Sequence, residues 1–393
     1  MKKLYLYLNN DYIGDIFIEE IRTEEIFSFS FSNEYLQKDK KPLIDPELFP
    51  FSGRQYSNRK IFGFIEDMIP DRFGKLLITK KLNEEREQPF KKVKTSDFLI
   101  NVNDLSRMGA LRIKENINGE FVNNNKDAIP PYINLRELEQ ASVKLDADEN
   151  IDNEIINKLL LPGSSLGGAR PKANIYFNND VYIAKFPSKK DSYDIELLEF
   201  VALEIAKKCG LDVPEFKLDE YSKFGHTLLV KRFDRNNDER IHYVSGITAL
   251  GTEDGSNDEF SYLDLAEFIK SQCGNPKKNL EELYKRMIFT YLINNCDNHL
   301  RNHAFIYKNG YYELSPMFDV NPVPYLTSFA LPLVNDNESK ENIIKVAKYF
   351  DLNEETANKI YKEISNTVIN ELESNKHKTK ELNSILLIAK QRI

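Results

Sequence analysis

Asp297, Asn302 and Asp319 have the residue types and the spacing for phosphoryl transfer. Asp297 precedes Asn302 by five positions, the D-x-x-x-x-N spacing in which an Asp accepts the proton of a substrate hydroxyl and the Asn holds a metal ion. Asp and Asn are common in this chain, so the spacing gains its weight from what lies between. Residues 304–308 and 311–314 flank Asn309-Gly310, the dipeptide favoured in two-residue type I′ hairpins. If Lys308 pairs with Tyr311, Asn302 falls opposite Met317. Asp319 is then two residues further along the facing strand, roughly 7 Å at ~3.4 Å per strand residue. Two oxygen ligands at that separation can close around one Mg²⁺. The alternative for these residues alone is a surface hairpin with polar flanks.

Such a centre needs a phosphate-binding part, and the preceding sequence offers one in the order of a bilobed kinase. Gly163, Gly167 and Gly168 would let backbone N–H groups converge on phosphate oxygens, with Arg170 and Lys172 adding positive charge. The alternative is a flexible turn before a sheet. Lys185 interrupts the apolar run Ile183-Ala184-Lys185-Phe186, a costly place for a charge that serves no ligand or partner. It is the candidate for the ATP α/β-phosphates, against the commoner fate of a lysine snorkelling at a sheet edge. Glu196 and Glu199 share a helix face, and one of them should reach Lys185. Residues 228–233, including Lys231, Arg232 and Phe233, read as an edge strand whose backbone would hydrogen-bond adenine.

At 393 residues, 41% hydrophobic and 30% charged, the chain is long enough for two or three cores and has a globular balance. A formal net charge of −8 argues against a large nucleic-acid footprint made unaided. No apolar run approaches the ~18 residues of a membrane span, and the expectation is a cytoplasmic protein with no membrane partner. Cys209, Cys273 and Cys296 are odd in number and far apart, which suggests neither a disulfide framework nor a zinc knuckle. His299 and His303 are four residues apart but lack an H-E-x-x-H setting.

The fold class expected is α+β, a bilobed protein-kinase-like fold with a β-rich N-terminal subdomain. Residues 4–8, 12–18 and 27–31 alternate as half-buried strands, residues 73–82 and 95–102 read as helices, and residues 107–113 return to strand. Turn formers in residues 115–131 mark a boundary. The expected domains are 1–133, a small lobe over 134–235, and a mostly helical large lobe over 236–393. A helix over residues 194–209 should stop at Gly210.

The motifs also resemble a known family, the HipA-type serine/threonine kinases, toxins of bacterial toxin-antitoxin pairs. The likeness is carried by residues 62–74, 107–112, 166–172, 184–188, 231–235, 297–302 and 315–319 in family order. It implies Asp297 as catalytic base, Asn302 and Asp319 as Mg²⁺ ligands, Lys185 on the ATP phosphates and Glu199 as the acidic partner of that lysine. It also places Ser164, Ser165, Gly167, Gly168, Ala169, Arg170, Lys172, Lys231, Arg232, Phe233 and His299 at the nucleotide. Ser165 matches the family's autophosphorylated serine, where a phosphate would put negative charge in the way of ATP. The implied partners are a HipB-like DNA-binding antitoxin, with nucleic acid met only through it, and a protein substrate, for which aminoacyl-tRNA synthetases are the family's example. The rival is a pseudokinase that holds the antitoxin on its operator.

Overall fold

In the computed structural model, which describes residues 1–393 apart from 86–91, 147–158, 161, 164–169, 238, 257–258 and 336, the alternating Phe27, Phe29 and Phe31 lie in one strand and are all buried. That strand, β3 (Glu24–Phe31), joins β1 (Lys2–Leu8), β2 (Asp11–Ile21), β4 (Gln55–Tyr56) and β5 (Leu111–Lys114) in a sheet of order β4-β3-β2-β1-β5. The register slips between Leu6 and Tyr7, opposite Gly14, where any Cβ would overlap the Ser30 carbonyl oxygen. One face of this sheet carries Leu4, Leu6, Ile16 and Phe29 into a core closed by Phe62, Phe64 and Leu99.

The described chain divides into two units, residues 1–192 with 216–244, and residues 193–215 with 245–393. The first also holds an antiparallel sheet of order β6-β7-β9-β8, made of β6 (Lys172–Phe177), β7 (Asp180–Lys185), β8 (Phe216–Ser222) and β9 (Gly225–Lys231). Asn178 and Asn179 turn β6 into β7 with φ of 51° and 65°, the left-handed pair that a type I′ hairpin requires and Asn tolerates. Ala173, Ile175, Tyr182, Ala184 and Leu229 form one face of the sheet and pack with Leu138 and Ala141 of α1 (Leu135–Asp146). β9 lies between β7 and β8, so it is an interior strand and not the edge strand the sequence suggested. Its run Thr227-Leu228-Leu229-Val230 is buried on both faces, which is why it reads as continuously apolar.

The expected strand over 107–113 is shortened to Leu111–Lys114 because Arg107 has other work. Its fully buried guanidinium donates to the carbonyls of Met68, Leu99 and Val102 at 2.9, 2.9 and 3.1 Å. The segment leaving β9 adds to this lock. Arg232 donates to Ser106 O at 2.6 Å and to Asn174 Oδ1 at 2.7 Å. Asp234, also fully buried, accepts from Arg232 Nε and Nη2 at 2.9 and 2.7 Å, from Arg235 Nη1 at 2.6 Å and from the Gly109 amide at 2.6 Å. Burial opposes a charged Asp234, but Arg232 and Arg235 overcome it and hold the carboxyl well below the usual carboxylate range.

The second unit is built on α4 (Pro276–Ile293), which starts at an Asn275 cap followed by Pro276 and buries Leu280, Leu283, Tyr284 and Met287. Helices α3 (Tyr262–Gln272), α5 (Glu354–Ser374) and α6 (Lys380–Gln391) pack against it. Helix α2 (Ile195–Lys208) is capped by Asp194, stops before Gly210 at φ +74°, and joins α5 through a 2.5 Å Lys208–Glu371 ion pair. It therefore packs in this unit, although element order counts it with the small lobe. No helix among the described residues is long and apolar enough to cross a membrane.

Asp234→Asn leaves two buried guanidiniums without their counter-charge and should cost about 3–5 kcal/mol of unfolding free energy near neutral pH, measured by urea denaturation. Because the folded carboxyl titrates below the unfolded one, its contribution is fully present above ~4 and is lost as pH falls through the folded value. The two proteins should therefore converge in stability in acid. A neutral-pH cost below about 1 kcal/mol, the range of an exposed pair, would contradict the assignment.

Candidate phosphoryl-transfer site

Helix α4 ends at Asn294 in a left-handed conformation, φ 58°, which reverses the chain into residues 295–302. Asn295 N bonds Thr290 O at 3.1 Å and Cys296 N bonds Asn294 O at 2.9 Å, so the reversal is tight. Asp297 emerges exposed while both its neighbours, Cys296 and Asn298, are buried. A one-turn 3₁₀ helix, Leu300–Asn302, then brings Asn302 back, and its Nδ2 donates to the Asp297 carbonyl at 3.2 Å. That bond fixes the amide, leaving Oδ1 as the group available to a cation.

The hairpin follows as its Asn-Gly signature requires. Strands β10 (Ala304–Lys308) and β11 (Tyr311–Leu314) pair Lys308 with Tyr311 through Phe305 with Leu314, around Asn309 and Gly310 at φ 54° and 90°. The ladder stops there, with one further bond from Ser315 N to Ala304 O at 2.9 Å. Asn302 therefore does not face Met317 across a strand pair, because it is wound in the 3₁₀ turn and Met317 N bonds Asp212 O at 2.7 Å instead. Asp319 approaches by another route. It adopts φ 55°, rare for a residue with a Cβ, and its Oδ1 accepts from Asn321 Nδ2 at 3.2 Å. Asn321 N in turn bonds Asn295 Oδ1 at 3.2 Å.

The result is a pair of like charges. The Asp297 carboxyl titrates above its ordinary value through partial burial, with His299 opposing the rise and Asp319 adding to it. His299 thus stands near Asp297. Beneath the segment, buried Asn298 donates through Nδ2 to Tyr262 OH at 2.6 Å and to His303 Nε2 at 3.0 Å. Burial first, then Arg286 and His299, push His303 down to about 3, so it is a neutral acceptor whose Nε2 is occupied. Asn298, Tyr262 and His303 hold the loop from below, roles that no spacing motif announces. The Asp319 carboxylate and Asn302 Oδ1 are the oxygen donors that suit a hard cation such as Mg²⁺.

In the first unit Lys172 and Lys185 are direct cross-strand partners and so share one face of the sheet. Gly163 packs so closely that a Cβ would lie 2.9 Å from the Lys172 carbonyl oxygen. Arg170 is held in a two-pronged pair with Asp191 at 2.6 and 2.7 Å, so its charge is already matched within the protein. Lys231 pairs with Asp180 at 2.6 Å, Phe233 stacks obliquely on Tyr243 at 6.2 Å, and the Arg232 side chain is spent in the buried lock. The Arg232 amide is bonded to Val181 O at 2.9 Å, so neither that amide nor the side chain is left for adenine. Lys185 belongs to the first unit and Glu199, which is buried on α2, to the second. Ser164, Ser165, Gly167, Gly168 and Ala169 lie outside the described residues.

Removing the charge at Asp319 should lower the titration of Asp297. In Asp319→Asn the Asp297 carboxyl, followed by ¹³C NMR against pH, should ionise at lower pH than in the parent. An unchanged titration would show that the two groups do not interact.

Residues 164–372 match the family model of the HipA-like C-terminal domain. A Haemophilus influenzae protein named "Putative kinase" is 30% identical over 211 residues, covering 47% of this chain and 61% of its own length, so the match spans about three fifths of that relative. "Putative kinase Y4dM" of Sinorhizobium fredii is 23% identical over 330 residues, covering 80% of this chain and 76% of its own. Among solved structures, HipA of Shewanella oneidensis MR-1, in a complex with HipB and its operator DNA, superposes with a TM-score of 0.71 at 18% identity, covering 99% of this chain and 97% of that one. This likeness shows the fold, a bilobed kinase-like α+β fold. The C-terminal-domain match covers more than half of the chain, and by it the chain belongs to the family of the HipA-like C-terminal domain.

Proposed function

We propose that the protein transfers the γ-phosphoryl group of ATP to a serine or threonine hydroxyl of a protein, in a Mg²⁺-dependent reaction. The observation that carries this reading is the gathering of Asp297, Asn302 and Asp319 on two tied segments of one unit, with Asp297 raised in pKa and open to solvent. A carboxylate so placed can take the hydroxyl proton as the oxygen attacks, and its raised pKa brings it nearer the range useful to a base. Asn302 Oδ1 and the Asp319 carboxylate would hold magnesium, which when bound neutralises charge on the phosphates. Lys185, with Lys172 beside it, would supply positive charge for the phosphate oxygens, and the reading gives Gly163, Gly167 and Gly168 the role of offering backbone amides. Glu199 is assigned to orient Lys185, and Ser165 is the site of autophosphorylation that would shut the nucleotide out.

The same reading makes the chain the toxin of a toxin-antitoxin pair in the cytoplasm, partnered by a HipB-like antitoxin and reaching DNA only through it. Support comes from the family and from the Shewanella HipA complex with HipB and operator DNA. Its target is a protein, with an aminoacyl-tRNA synthetase as the first to test. Incubation of the purified full chain with γ-labelled ATP and Mg²⁺ should label Ser165 or an added substrate. Asp297→Asn should lower the rate by about 10²–10⁴-fold. Its melting temperature should be unchanged, because the side chain is exposed. Full activity in Asp297→Asn removes the base from the mechanism. Absence of any transfer in the parent protein favours a non-catalytic antitoxin-binding role.

A further inference from the structure

Arg392 caps α6 and reaches back to the point where α4 gives way to the Asp297 segment. Its Nη1 donates to the Tyr291 carbonyl oxygen and its Nη2 to Asn294 Oδ1 at 2.8 Å. The guanidinium also lies over the Tyr291 ring, 4.4 Å from its centroid, and 5.4 Å from that of Phe329. Tyr361 OH donates to the Arg392 carbonyl at 2.5 Å, which ties the same residue to α5.

What Arg392 holds is the orientation of one amide. Asn294 is fully buried, and its Nδ2 donates to two carbonyls, Val323 O at 2.7 Å and Leu326 O at 2.9 Å. Its own carbonyl accepts from Val323 N at 2.9 Å. A flipped amide would aim Oδ1 at both of those carbonyl oxygens, with no donor between them. The guanidinium at Oδ1 prevents this, because it accepts nothing and must face oxygen. From that anchor two strings of bonds run to the proposed metal ligands and base. Asn295 Oδ1 holds Asn321 N, and Asn321 holds Asp319. Cys296 O and Asn298 O, on either side of Asp297, accept from Ala330 N at 2.8 Å and Leu331 N at 3.2 Å.

We propose that Arg392 is a positioning residue for the phosphoryl-transfer site. It fixes the Asn294 amide, and through it the register of residues 319–331 against residues 294–298. The activity part of this assignment rests on the kinase reading above, whereas the structural part stands without it.

Both parts are tested with Arg392→Ala and Arg392→Lys in the full chain. Hydrogen exchange should be faster at the amides of residues 295–298 and 321–331 in Arg392→Ala, with β1 to β3 unchanged. In the transfer assay kcat should fall about tenfold or more, because small displacements of reacting groups are costly. KM for ATP should stay within about twofold, since no ground-state contact to nucleotide is removed. Arg392→Lys should lie between, keeping charge but losing the fork. If Arg392→Ala does not fold, the exchange pattern of Arg392→Lys decides. Exchange equal to the parent overturns the assignment whether or not the parent transfers phosphate, as does an unchanged kcat in folded Arg392→Ala. A parent without activity sinks only the kinase reading.

Discussion

Two carboxylates that repel one another, Asp297 and Asp319, are kept close on separate segments of the second unit, and much of that unit's polar wiring serves to hold them there. Neither segment is a strand or a helix at the relevant residue. The order comes instead from three consecutive residues, Asn294, Asn295 and Cys296: the Asn294 side chain donates to residues 323 and 326, while the Asn294 and Cys296 carbonyls and Asn295 Oδ1 accept from residues 323, 330 and 321. Asp319 adds a left-handed backbone, a conformation that costs of order 1 kcal/mol for a residue with a Cβ. A like-charge pair and a strained residue together are the arrangement a bound cation would relax, and they are concentrated where the chain has the oxygen ligands to bind one.

Beneath the carboxylates the interior is polar but closed. Asn298 spends both amide protons, on Tyr262 and on a neutral His303, and Tyr262 meets Thr290 Oγ1 at 3.2 Å. Tyr262 is pushed up to about 12 by burial, so it stays a neutral hydroxyl in this network. Satisfied groups of this kind cost little to bury and admit few alternative arrangements, which makes the loop above them rigid. The first unit solves a different problem by similar means, using guanidiniums that bind backbone carbonyls to lock irregular chain around Asp234.

Much of this was legible in the sequence because it depends on local rules. The alternation of Phe27, Phe29 and Phe31 and the Asn309-Gly310 turn each dictate structure within a few residues, and the hairpin forms in the register counted from Lys308 and Tyr311. The count failed only where it ran past the ladder, since nothing in residues 300–302 announces a 3₁₀ turn. Long-range features stayed hidden for a physical reason. The partners of Arg107, Arg232 and Arg235 are mostly backbone carbonyls, and carbonyls have no sequence signature. An arginine beside a motif can thus be read as a ligand contact when its work is to close a core. The apolar run of β9 fits an interior strand, but which strands flank it is set by sheet order, which its own residues do not specify.

The placing of one cation between Asn302 and Asp319, with Asp297 beside it, is tested most directly by replacing magnesium with Mn²⁺ in the presence of a non-hydrolysable ATP analogue. Paramagnetic broadening in NMR spectra should then begin at the Asn302 side-chain amide and at the backbone amides of Asp319 and Asp297. Broadening centred elsewhere, with those signals left sharp, would contradict it.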